Sequence, residues 1–106
     1  MRAPPALADP VDPARVRTLP RHFAWVDPRL RDRLRDLSLE EIALVFFLHL
    51  AADTHGLSFW SDATVARKLG LREGDVNQAR SRLIHKGLIA YRYPLYQILA
   101  LGDERP

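Results

Sequence analysis

With 106 residues, 47% of them apolar, and no cysteine, the chain has room for one domain with a modest core; disulfides, thiolate nucleophiles and cysteine-based zinc sites are excluded. Sixteen lysines and arginines against 13 acids leave a net charge of +3, a lean toward an anionic partner without a polybasic tract. The longest apolar stretch, 42–52, is far short of the roughly 20 residues that span a bilayer, and Met1-Arg2-Ala3-Pro4-Pro5 lacks the apolar run of a signal peptide, so a cytoplasmic protein is expected.

Lys68 and Lys86 are the only lysines, so arginine supplies nearly all the positive charge. Its planar fork donates two parallel hydrogen bonds and suits phosphate and guanine, but a GC-rich genome produces the same bias. Residues 1–21 carry Pro4, Pro5, Pro10, Pro13 and Pro20 among small and charged residues. Proline blocks both helix and ladder, which predicts an extended or disordered arm whose Arg15, Arg17 and Arg21 suit a DNA backbone or simply solvent. One domain is expected over 22–101, followed by a frayed tail over 102–106.

Asp27-Pro28 reads as a helix start, with Leu30, Leu34 and Leu37 recurring at helical spacing behind it. Ser38 and Glu41 form a capping box that opens a second helix, running to about Thr54 and ending before Gly56. From Ile42 to Ala52 every residue but His49 is apolar. A helix apolar all round must be covered on most sides, here either by the segment 25–37 or by a second subunit in a homodimer. His49 is expected as a satisfied core or boundary histidine rather than a ligand.

Leu57-Ser58-Phe59-Trp60 alternates and predicts a short strand. Ser61 caps a helix over 62–69 closed by Gly70, a further helix covers about 73–86 and ends at Gly87, and 88–101 reads as a compact β-hairpin broken at Pro94. The expected class is mainly α with a small hairpin (α+β).

The stretch Ser61-Asp62-Ala63-Thr64-Val65-Ala66-Arg67-Lys68-Leu69-Gly70-Leu71, followed by Val76, Leu83, Ile84 and Lys86-Gly87-Leu88-Ile89, resembles the winged helix-turn-helix superfamily over roughly 38–101. Within it the chain is similar to small bacterial regulators, to amino-terminal modules of plasmid replication initiators and to accessory proteins of mobile elements. The resemblance implies major-groove insertion of the helix 73–86, with the wing 89–101 near the adjacent groove, in control of transcription or of a plasmid or mobile element.

A helical wheel reads the same helix without the family. Val76, Ala79, Leu83 and Ile84 fall on one side and form a core face. Gln78, Ser81, Arg82 and His85 fall opposite, with Asn77 and Lys86 on the flanks; these types read base edges or hold phosphates, although an ordinary solvated face is also polar. Arg67, Lys68, Arg72 and Arg92 complete the candidate contact set. Arg80 points toward the core and is expected to pair with Glu41 or Asp62 in a structural role. Glu73 and Asp75 at the helix start suit its dipole but repel phosphate, and the hairpin, with Arg92 as its basic residue, makes a short wing. Tyr91, Tyr93 and Tyr96 fit cross-strand pairing better than base stacking.

Phosphate-loop, HExxH and dinucleotide motifs are missing, and His22, His49, His55 and His85 are scattered. Asp53-Thr54-His55 reads as a helix-end loop rather than a metal site. No enzyme activity, cofactor or metal is expected. Duplex DNA is the expected partner. The rival is a winged-helix protein-interaction or assembly module, which the apolar helix and short wing also suit; a single-stranded nucleic-acid binder ranks third.

Overall fold

A computed structural model describes residues 9–18 and 23–101; the remainder of the arm, including Arg21, and the tail 102–106 lie outside the described residues. It shows an α+β architecture in which α-helices pack on one another and on a three-stranded antiparallel sheet, and among the described residues no helix is long and apolar enough to cross a membrane. Residues 9–18 are exposed throughout, and Pro13–Arg15 forms a single 3₁₀ turn capped by the Asp12 side chain, a local departure from the extended arm.

The Asp27-Pro28 start is present, with the Asp27 carboxylate accepting from the Arg29 backbone N–H at 2.9 Å. The element it opens, Pro28–Asp36, is a 3₁₀ helix and not the expected α-helix. The difference decides what it buries. At three residues per turn, positions four apart diverge by about 120°, whereas in an α-helix they nearly coincide. Leu30 is therefore buried while Leu34 is exposed and Leu37 only half-buried.

Helix α1, Leu39–Ala51, opens on the predicted capping box: the Ser38 hydroxyl accepts from Glu41 N–H at 3.1 Å and the Glu41 carboxylate from Ser38 N–H at 3.3 Å. It stops at Ala51, three residues before the expected Thr54. The Asp53 carboxylate takes the backbone N–H groups of His55 and Leu57 at 2.8 and 2.9 Å, and this local turn displaces helix continuation. Gly56, at φ +83°, closes the turn 3.0 Å from the Ile98 carbonyl oxygen as measured from the Cβ that any other residue would carry.

Strand β1, Leu57–Phe59, leads into α2, Asp62–Leu69, whose Ser61 cap accepts from Thr64 N–H at 3.2 Å. Gly70 ends α2 at φ +70° with open space around it, so the backbone conformation alone demands glycine there. Helix α3, Glu73–His85, follows after two residues. Strands β2, Ile89–Arg92, and β3, Leu95–Ile98, form the hairpin, and the Tyr93–Pro94 peptide between them is cis. The sheet order is β1-β3-β2, with Tyr96 at its centre opposite both Ser58 and Tyr91.

Leu44, Val45 and Leu48 of α1, Val65 and Ala66 of α2, Val76, Ala79 and Leu83 of α3, and Leu88, Ile89 and Tyr96 of the hairpin form one core. Each fully buried Leu, Val or Ile contributes about 1.5–3 kcal/mol. Ile84, placed on this side by the wheel, is exposed: two turns along the helix it has rotated about 80° away from Val76.

Candidate nucleic-acid interface

Helices α2 and α3 are locked to the hairpin by one buried arginine. Arg80, on the inner side of α3, donates to Asp62 Oδ1 at 2.6 Å and Oδ2 at 3.2 Å and to the Tyr96 hydroxyl at 2.8 Å. Its guanidinium lies 4.3 Å from the Tyr91 ring centroid, and the Tyr91 and Tyr96 rings are 4.7 Å apart. Burial alone would lower the Arg80 pKa, but the Asp62 carboxylate and Tyr96 hydroxyl outweigh it and raise the pKa further. Of the two expected partners, Asp62 is the one observed. Burial likewise pushes the Tyr96 phenol up, so it stays a neutral donor and acceptor. Tyr91 and Tyr96 are thus occupied in cross-strand pairing around a cation, while Tyr93 is exposed.

With its inner side fixed, α3 turns Asn77, Gln78, Ser81, Arg82 and His85 to solvent, and it carries no carboxylate beyond its first turn. At that turn Arg72, with an exposed side chain, lies 3.4 Å from Asp75, whose carboxylate also accepts from the Arg72 backbone N–H at 3.3 Å, while no side chain at the N-cap accepts from the first turn. The Asp75 charge is thereby partly spent. Arg67 and Lys68 are exposed in the last turn of α2, and Arg92 is exposed at the end of β2. Ile84 is the one large apolar side chain exposed on α3 among the described residues.

Lys86 stands apart from the rest of the candidate set. Its ammonium donates to Glu41 Oε1 at 2.6 Å and to the Asp36 carbonyl at 2.7 Å, so the residue expected at a phosphate is tied to the first turn of α1. Glu41 is 1% exposed; burial raises its pKa, but the Lys86 hydrogen bond and the Ser38 backbone N–H outweigh this and hold it below the usual value. Arg82 reaches Glu41 Oε2 at the longer distance of 3.8 Å with a side chain 60% exposed, which leaves it open to an outside anion.

Glu41 was legible as a cap, but it was expected as a partner for Arg80, which it does not meet, and not as the anchor of Lys86, because the two residues are far apart in sequence. Arg33 was missed as well: it donates to the Lys86 carbonyl at 3.2 Å and satisfies the C-terminal end of α3. His49, as expected, is a core-boundary histidine, its Nδ1 2.8 Å from the Val45 carbonyl oxygen. Among the described residues no group of three His, Cys, Asp or Glu side chains is placed to hold a metal.

The outer side of α1 is a second surface of different character. Leu39, Phe46 and Leu50 are 81, 56 and 55% exposed, respectively, on one helical stripe with Ala43. The 3₁₀ helix covers α1 through Leu30 and leaves this stripe open. Comparison of the chain with protein-family models, with curated proteins and with solved structures returned no match.

Proposed function

We propose that the chain is a winged helix-turn-helix module that binds double-stranded DNA, with α3 as recognition helix and the β2–β3 hairpin as a short wing, in transcriptional or plasmid or mobile-element regulation. One observation carries the reading: an α-helix with its inner side clamped through Arg80 shows solvent a row of hydrogen-bond donors, Asn77, Gln78, Ser81, Arg82 and His85, with no acid after the first turn. Gln78 and Asn77 suit adenine edges and Arg82 suits guanine. Arg67, Lys68, Arg72 and Arg92 are the cations for phosphates; Lys86 braces α3 against Glu41 instead.

The test is fluorescence anisotropy of a labelled duplex pool titrated at several salt concentrations. With three to five phosphates neutralised, log affinity falls against log salt with a slope of about −3 to −5. A slope near zero, or no binding at low salt, would end the DNA reading.

A second reading, protein assembly, has its own observation in the exposed stripe Leu39, Phe46 and Leu50. It is compatible with the first if the occupant is a second copy, giving a homodimer on a two-fold-related site.

A further inference from the structure

A cleft of about 560 Å³ opens between the segment 23–30, the C-terminal end of α1 and the stretch after β3, away from the exposed residues of α3. Its volume lies in the roughly 300–1,000 Å³ range of small-molecule sites. The walls are mainly apolar, with Val45, Ile98 and Leu101 along them and Phe23 and Trp25 lining it. Those two rings are 61 and 68% exposed, an uncommon state for large aromatics beside an open cavity.

The two carboxylates of the cleft are committed. Asp27 accepts from the Arg29 guanidinium at 2.7 Å, and Asp53 is held by its two backbone N–H groups. His49 is different. It lines the cleft at 8% exposure, and its Nδ1 must donate to Val45, because a carbonyl oxygen only accepts. In the neutral ring Nε2 is then an acceptor, and it has no partner among the described residues. Among the described residues the buried side-chain atoms left unpaired are Ser58 Oγ and Trp60 Nε1, so His49 Nε2 opens to the cleft, where an aromatic-lined cavity suits a donor carried on an apolar body.

We propose that this cleft binds a small planar aromatic molecule that presents one N–H or O–H donor to His49 Nε2 and lays its ring against Trp25 and Phe23. Arg29 in the same lining is paired with Asp27, so the carboxylates of Asp27 and Asp53 disfavour an anionic ligand. This site is independent of the DNA reading.

The test is ¹⁵N-resolved NMR of the whole chain titrated with indole, 1-methylindole and indole-3-acetate. Indole is expected to bind with a dissociation constant of about 0.1–1 mM, given its size, shifting the Trp25 and His49 signals. The 1-methyl compound, which has the same ring without the donor, is expected to bind about tenfold more weakly. Ala100→Trp, at an exposed lining residue outside any strand, is expected to abolish the shifts while the rest of the spectrum stays native. Absence of shifts with millimolar indole, equal binding of 1-methylindole, tighter binding of indole-3-acetate, or undiminished binding to Ala100→Trp would each overturn the proposal.

Discussion

Helices α1 and α3 are both 13 residues long and pack against each other, yet they are dressed in opposite ways. Outside, α1 shows Leu39, Phe46 and Leu50, whereas α3 shows Asn77, Gln78, Ser81, Arg82 and His85. Inside, each buries charge: Glu41 from α1, which takes Lys86, and Arg80 from α3, which takes Asp62. Apolar content alone therefore does not say which side of a helix faces water. A charged residue goes inward where a partner of opposite sign is fixed by another element, and an apolar one stays outside where none of the described residues covers it.

The inner charges are where the comparison is easiest to break. Arg80→Ala leaves Asp62 and the Tyr96 hydroxyl without their donor and removes the cation stacked on Tyr91. Because Asp62 keeps about a quarter of its side chain in water, the expected loss is about 2–4 kcal/mol, somewhat below that of a wholly buried pair. Urea unfolding would measure it. A loss below about 1 kcal/mol would show that apolar packing, not the arginine, ties α3 to α2 and the hairpin.

On the outer face of α3 the prediction is the reverse, affinity without stability. Gln78→Ala and Arg82→Ala should each lower duplex affinity by about 1–3 kcal/mol while unfolding stays within about 0.5 kcal/mol. Lys86→Ala should do the opposite: it strands the Glu41 carboxylate and lowers stability, with the salt slope of binding unchanged. A salt slope shallower by about one unit in Lys86→Ala would return that residue to the phosphate set.

Much of this frame can be read directly from the residues, and the exceptions have physical causes. Ser38-x-x-Glu41, Ser61 and Gly70 mark α1 and α2 because caps and left-handed glycines act locally. The polar face of α3 follows from its period alone. What could not be read depends on distance along the chain. Lys86 meets Glu41 across 45 positions and Arg33 meets the end of α3 across 53, so no local pattern announces either. β1 was legible as a strand, but its pairing with β3 was not, since register is set by tertiary contact. Pro28–Asp36 failed differently: leucine spacing suits an α-helix, and the backbone wound tighter, which cost Leu34 its cover and helped leave the α1 stripe open.

Glu41 also makes the comparison depend on pH. Its carboxyl is held below the ordinary value of 4.5, so its contribution to stability is complete above that pH and is lost as the pH falls through the lower folded value. Glu41→Gln should therefore be less stable than wild type at pH 7, by about 1–2 kcal/mol, with the gap closing in acid. A gap that is constant from pH 7 down to about 3 would mean that the Glu41–Lys86 pair contributes shape and not charge.

The smallest effect on the folded chain is expected at the outer face of α1, and it decides what that face is for. Phe46 and Leu50 are more than half exposed, so replacing both with serine should change the stability of the isolated chain by about 0.5 kcal/mol or less. A second copy docked there would make the same substitutions costly in another measure. Sedimentation of wild type should then show dimer at tens of micromolar, and Phe46→Ser/Leu50→Ser should show monomer with weakened binding to two-half-site DNA but not to one half-site. If wild type sediments as a monomer at those concentrations, the stripe does not pair with itself. The contrast between the two helices would then separate a face for DNA from a face for a different protein.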